Sequence, residues 1–306
     1  MDAKTFYAET KKFLNRKATA SGVADLKKYY VLTDHKMDWF KNEKLFTGNT
    51  INEAFAQLVF HGQNATMISN IVKFEENYAF LKKFTLNFDP KKFYAKYCSK
   101  GTEDEQIANV VKAFKYNHEK KEGLIWNSEK SKEENKDKIA KRFAKLLING
   151  SKYLKDFKTK TELVDDLLAH HTLYKHGQNL DDNRNLIKYF MGKMDDGSGF
   201  SVALTCDYLK ELDLVFNFLA KPDVHIMDVM AVYKNKDKGY YYNTESKAYE
   251  CLKEFQKLVK EINQNLKGDN KITVYQLDRM IWLICSGKFF LDTIGLNKAD
   301  YLKVIK

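Results

Sequence analysis

Two short clusters in this 306-residue chain carry residue types able to do chemistry. In Asp195-Asp196-Gly197-Ser198-Gly199, two glycines two apart separate one helical pattern (Leu186, Ile187, Phe190) from the next (Val202, Ala203, Cys206, Leu209). Glycines there allow a tight turn, and their amides, with the start of the following helix, can face a phosphate oxygen closely. Further on, Lys221-Pro222-Asp223-Val224-His225 sets one of the chain's two prolines directly before an acid. A helical pattern resumes at Ile226, Val229 and Met230, so Asp223 falls at or near a helix N-cap with its backbone fixed by Pro222. A carboxylate so held can stabilise developing positive charge or orient a water. Each cluster also has a plainer reading, a tight turn and an ordinary capping Asp.

The elements that must position these clusters read as helices almost throughout. Two prolines and 14 glycines argue for long helices joined by short turns. Thr50 and Glu53 form a capping box ahead of Ile51, Phe55, Leu58 and Val59, a helix that stops near Gly62. A second begins near Asn64 with Met67, Ile68, Ile71 and Val72. Others follow from Ile107, Val110, Val111 and Phe114, from Ile139, Phe143, Leu146 and Leu147, and from Thr161 with Val164, Leu167, Leu168 and His171. A long one carries Ala248, Leu252, Phe255, Val259, Ile262 and Leu266. Thr273 and Gln276 box the start of the last strong helix, which stops near Gly287. Tyr240 to Tyr242 is a short β-prone patch, and Glu129 to Lys141 is a charge run expected as a linker or a solvated helix face. The expected class is all-α.

Composition bounds the partner. Lys plus Arg is 52 against 41 Asp plus Glu, a formal net charge of +11, and four of the 52 are Arg (Arg16, Arg142, Arg184, Arg279). Lysine is a point charge on a flexible stem, better suited to neutralising phosphates than to bidentate reading of base edges. Contact with a nucleic-acid backbone and little sequence code is the expectation, beside the plain reading of a lysine-rich soluble protein. The aromatic share of 14% excludes a disordered chain. The longest apolar run, Met280 to Cys285, is six residues, far short of the roughly 18 a membrane span needs. The opening Met1 to Lys12 does not read as a secretory segment, and four scattered cysteines without CxxC spacing argue against disulfides or a cysteine-held metal. A reduced cytoplasm is the expected compartment.

Taken together, the hairpin Gly197-Ser198-Gly199 with Ala203 behind it, and Pro222-Asp223-Val224-His225 beginning 23 residues beyond Gly199, resemble the helix–hairpin–helix DNA glycosylase superfamily. A weaker similarity lies in the turn His61-Gly62-Gln63-Asn64-Ala65-Thr66, where the family often carries a Gln-rich turn, and in Asp278 to Ser286, which looks like its closing helix. The likeness covers roughly residues 51–288 and is specific around 197–225. The usual Leu-Pro before the hairpin is here Met194-Asp195-Asp196, and two carboxylates beside a phosphate site are electrostatically unfavourable.

The resemblance implies two helical lobes, residues 50–215 ending in the hairpin and residues 1–49 plus 216–306 carrying the acid, with a DNA-binding cleft between them. It implies a monofunctional enzyme, because Ser201 stands where bifunctional members carry their nucleophilic lysine, and Lys221 does not match that position. The chemistry is hydrolysis of the bond between sugar and a flipped-out damaged or modified base, with Asp223 beneath the cationic sugar. Gly197, Ser198, Gly199 and Ser201 are expected on a phosphate of double-stranded DNA, Gln63 and Asn64 at the opened duplex, and Lys193 and Lys221 on phosphates. No cofactor, metal or iron–sulfur cluster is implied; a monovalent cation at the hairpin stays open. A monomer, in the cytoplasm and on the nucleoid when bound to DNA, in base repair or in attack on modified foreign DNA, completes the expectation.

Four further readings belong beside it. His225 occupies a position the family uses structurally. His170-His171 and His176 lack a third ligand at metal spacing. Asp278 reads as a capping or interface acid opposite an apolar stripe, and Trp282 as core. The rival functions are a non-catalytic helix–hairpin–helix DNA-binding protein, and an unrelated helical protein in which Asp223 merely caps.

Overall fold

The computed structural model describes residues 1–20, 22, 48–64, 72–115, 123–124, 133–171, 183–195, 198–286 and 296–306, with the backbone alone at 133–137. Among these the chain forms thirteen α-helices, two short 3-10 turns and isolated β-bridges, with no strand. No described helix is long and apolar enough to cross a membrane. The expected all-α class holds. Gly197, Asp196, Met67, Ile68, Ile71, His176 and Gly287 lie outside the described residues.

In chain order the helices are α1 (Ala3–Ala20), α2 (Ile51–Gly62), α3 (Tyr78–Phe84), α4 (Pro90–Tyr97), α5 (Glu103–Phe114), α6 (Glu133–Leu154), α7 (Lys160–Ala169), α8 (Asn183–Met194), α9 (Val202–Leu212), α10 (Val224–Tyr233), α11 (Glu245–Gln264), α12 (Val274–Cys285) and α13 (Lys298–Val304). They fall into two compact units, Met1–Lys41 with Leu209–Lys306 and Asn42–Tyr208, the division lying within α9.

In the unit Asn42–Tyr208, α6 lies against α2, α4, α5 and α8. Its inner stripe of Phe143, Leu146 and Leu147 is buried, and each such side chain contributes about 2 kcal/mol on leaving water. Phe114 meets Phe143 edge-on, with ring centres 5.4 Å apart. The capping box at Thr50 and Glu53 is present. Gly62 closes α2 as expected, and close packing adds a reason: a Cβ there would come within 2.1 Å of the Leu146 side chain. The cap of α7 is Thr159, not Thr161, whose amide and hydroxyl instead meet the Asn49 side chain. The charge run becomes helical from Glu133 onward, as the first turns of α6.

In the other unit, α1 packs on α11, α12 and α13, and α10 packs on α11 and α12. Phe6, Phe13, Val229, Met230, Phe255, Leu277 and Ile281 fill its core. Buried Lys17 extends from α1 to donate to the Ile284 carbonyl in the last turn of α12, at 2.6 Å, a favourable place for a cation. The capping box at Thr273 and Gln276 forms as read. The β-prone patch is not a strand. Tyr240, Tyr241 and Tyr242 form a turn before α11, and their hydroxyls meet Glu250, Glu254 and Asp228 respectively. Three carboxylates taken up in this way suit a compact turn better than a strand with alternating faces.

The four cysteines are free and buried, and burial raises the thiols of Cys98 and Cys285 to about 11 and about 12.

Candidate functional site

Pro222 removes one backbone donor and fixes its own φ, so the chain enters α10 through an extended Asp223 (φ −95°, ψ −177°). The Asp223 amide donates to the Lys221 carbonyl at 2.7 Å, closing a tight loop over the proline. Asp223 Oδ1 accepts the amides of His225 at 2.9 Å and Ile226 at 3.3 Å, so the acid is the N-cap of α10. These two neutral donors, at the positive end of the helix dipole, fix where the carboxylate sits. The carboxylate is half-buried, and among the described residues no Lys or Arg forms an ion pair with it.

Two nearby acids in the same unit contrast with it. Asp228, one turn along α10, is buried; its Oδ2 lies 2.5 Å from Lys298 Nζ and its Oδ1 accepts the Tyr242 hydroxyl. Lys298 also donates to the Val224 carbonyl at 2.9 Å, so α13 is tied to the first turn of α10. Asp278 on α12 is 3% exposed and pairs with buried Lys210 of α9. Its Oδ2 also accepts the Lys221 amide at 3.3 Å. The expectation of an interface or capping acid is therefore corrected: Asp278 is a core ion-pair partner that fixes the backbone two residues before Asp223. Beside it, Glu211 takes the Tyr275 hydroxyl and lies 3.8 Å from Arg279. Trp282, read as core, is half-buried.

His225 is half-buried, with Nδ1 shielded from water and lacking a hydrogen-bond partner. Burial, foremost, pushes its imidazole below the ordinary value, helped by Lys298 and Lys221 and opposed by Asp223 and Asp228. The ring is neutral at physiological pH.

The glycine turn belongs to the unit Asn42–Tyr208. Asp195 follows the last residue of α8 in the left-handed region (φ 58°), and Asn149 Nδ2 donates to the carbonyl of buried Met194 at the end of that helix, 2.8 Å away. Ser198 is fully buried. Its hydroxyl donates to the Asp195 carbonyl at 3.1 Å and accepts the Phe200 amide at 3.3 Å, so it closes the turn and is committed there. Gly199 follows at φ 83°, a conformation glycine adopts without a Cβ penalty. Ser201 is exposed immediately before α9. Ala203, expected inside, is half-exposed, because α9 buries Cys206, Asp207, Tyr208 and Leu209 around most of its circumference.

Of the remaining expected contacts, Asn64 is exposed, whereas Gln63 is buried, and its Oε1 accepts the Phe74 amide at 2.9 Å. Lys193 is exposed, its ammonium 4.8 Å from the Tyr189 ring and 5.7 Å from that of Tyr153. His170 stacks on the same Tyr189 at 3.5 Å. Both tyrosine hydroxyls converge on Asp166, at 2.8 and 2.9 Å. Lys221 is half-buried. No group of three or more metal-ligating side chains occurs among the described residues; His170 and His171 meet the Asp166 carbonyl and Asn183.

Sequence reasoning missed one further polar pair. His61, 2% exposed in α2, places Nδ1 3.2 Å from Asp207 of α9. The partners are 146 positions apart, and no local signal marks either.

No protein-family model, curated protein or solved structure matches the chain.

Proposed function

We propose that this chain is a monofunctional DNA glycosylase and that Asp223 is its catalytic carboxylate. The observation that carries the reading is the contrast among three neighbouring acids. Asp228 and Asp278 are buried and ion-paired, while Asp223 is half-open and held by backbone amides alone. An acid neutralised by a lysine cannot lend its charge to a substrate; one positioned by neutral donors can.

In the proposed reaction the target nucleotide leaves the stack, exposing C1′. The bond from C1′ to the base nitrogen breaks, and the base departs with the electron pair and gains a proton. Positive charge spreads over C1′ and the ring oxygen, with the Asp223 carboxylate beneath them. Water adds its oxygen to C1′ and loses a proton, leaving an abasic site. Asp223 Oδ1 is occupied by the two amides, which leaves Oδ2 to face the sugar and orient the water. In the other unit the turn at Gly199, exposed Ser201, Lys193 and Asn64 are the proposed backbone contacts. Ser198 and Gln63 contribute by holding their loops.

The test is a panel of duplexes bearing damaged bases and hypermodified viral bases, incubated with protein and then treated with hot alkali to reveal abasic sites. Strand breaks made by the wild type and lost in Asp223→Asn support the assignment. Equal cleavage by both removes Asp223 from the mechanism. Duplex binding with a steep salt slope but no abasic product from any substrate selects the non-catalytic DNA-binding alternative.

A further inference from the structure

Between α3 and α4 the chain reverses through Leu86 (φ 58°), Asn87 (φ 63°) and Phe88 (φ 53°), three successive non-glycine residues in the left-handed region. That backbone is strained for bulky L residues, and such strain gathers where ligands are held. Burial of Phe88 against Phe74 and Tyr78 offsets the strain at that position. Leu86 is half-buried and Asn87 exposed. The turn is fixed from several sides. The Asn87 amide donates to the Lys82 carbonyl at 2.7 Å, and the Phe88 amide to Thr85 Oγ1 at 3.1 Å. Asn52 of α2 donates its side-chain amide to the Asn87 carbonyl at 3.2 Å.

This turn shapes a cavity of about 460 Å³ in the unit Asn42–Tyr208. Lys82 and Lys83 line it from the last turn of α3, Lys92 from the first turn of α4, and Leu86 and Asn87 from between them. Residues 78–97 hold five lysines against one acid, Asp89. That acid is engaged with α4: Oδ1 accepts the Lys92 amide at 2.9 Å, and Oδ2 lies 3.2 Å from Lys92 Nζ.

We propose that this cavity binds the phosphate chain of a small molecule of the di- or triphosphate class. The site goes beyond the glycosylase reading and does not rest on Asp223. Three lysines around one concavity match several linked anionic groups, and a single phosphate meets fewer of them. The cavity has the size of a small-molecule pocket, roughly 300–1,000 Å³. The lysines are gathered on one short reversal of the chain, whereas a nucleic-acid backbone calls for cations strung along a face. The fixed turn also holds the ends of both helices in place before the ligand arrives, which lowers the ordering cost of binding.

Calorimetric titration of the full chain with inorganic tripolyphosphate, at physiological ionic strength, tests the proposal. One tripolyphosphate should bind per chain. Lys82→Gln with Lys83→Gln should weaken it about tenfold or more, for the loss of two charge-assisted contacts. Orthophosphate should bind wild type about tenfold or more weakly than tripolyphosphate, since it lacks the linked charges. Lys257→Gln with Lys260→Gln removes the same charge from the exposed face of α11 and should bind as wild type does. No binding, or equal weakening in the two double variants, overturns the proposal. A labelled DNA duplex supplies the other arm. Duplex affinity lost in the Lys82/Lys83 variant, with tripolyphosphate affinity unchanged, gives these lysines to a nucleic-acid backbone and also overturns it. The abasic-site assay reads the role of Asp223 separately, so either reading can fail alone.

Discussion

Asp278 accepts the backbone amide of Lys221 at 3.3 Å while pairing with the Lys210 ammonium, so one buried carboxylate on α12 anchors both the side chain of α9 and the loop that presents Asp223. The candidate acid owes its place to two kinds of restraint. Local ones, Pro222 and the cap of α10, set its backbone. A distant one, 57 positions along the chain, sets where the loop begins.

The cap and the charge of Asp223 can be separated. Asn caps a helix about as well as Asp, so Asp223→Asn should leave stability within about 0.5 kcal/mol, whereas Asp223→Ala should cost about 1 kcal/mol. On the proposed glycosylase mechanism, base excision should fall by about a hundredfold or more in both variants, because each removes the charge proposed to face the sugar. Urea titrations and single-turnover excision, run in parallel, check the two halves.

Breaking the Lys210–Asp278 pair strands a charge in the core. Asp278→Ala should destabilise by about 3 kcal/mol or more. The double replacement of Lys210 by Met and Asp278 by Leu should recover much of that loss, because no buried charge is then left over. Denaturant midpoints of Asp278→Ala and of the double variant decide it; a double variant no better than Asp278→Ala refutes the account.

His225 titrates against folding. Its pKa is lowered in the folded chain, chiefly by burial, from an ordinary 6.5. The unfolded chain therefore binds the proton more readily. The contribution to stability is intact above pH 6.5 and is lost as the pH falls below it toward the folded-state value. Unfolding free energies followed from about pH 7.5 down to about pH 5.5 should decline less steeply in His225→Gln than in the wild type.

Asp195 combines a left-handed backbone with a negative charge at the glycine turn. Asp195→Gly should stabilise the fold by about 0.5 kcal/mol, since glycine adopts that conformation freely. If the turn meets a DNA phosphate, the same change should also strengthen duplex binding several-fold at low salt. Fluorescence anisotropy with a labelled duplex measures this, and unchanged or weaker binding takes the phosphate away from the turn.

Much of the local structure was legible in the residues. The boxes Thr50/Glu53 and Thr273/Gln276, the break at Gly62 and the Pro222-Asp223 cap are all decided within a few positions, because capping is a contact between a side chain and amides two or three residues away. The choice of helix over strand followed for the same reason, from apolar residues repeating at helical spacing with few prolines to interrupt them. Tyr240 to Tyr242 misled, since β-propensity reflects packing on a pleated surface, and here Glu250, Glu254 and Asp228 supply another place for three phenols. The polar residues of α9 could not be interpreted from their neighbours either. Asp207, Lys210 and Glu211 look like a solvated face until His61, Asp278 and Tyr275 arrive from 146, 68 and 64 positions away. The same holds for the site: the sequence alone determined that Asp223 begins a helix, and the tertiary structure decided that it stays open while Asp228 and Asp278 are neutralised. Whether a charge is paired depends on which distant side chains the packed helices bring beside it, a relation that spacing along the chain does not encode.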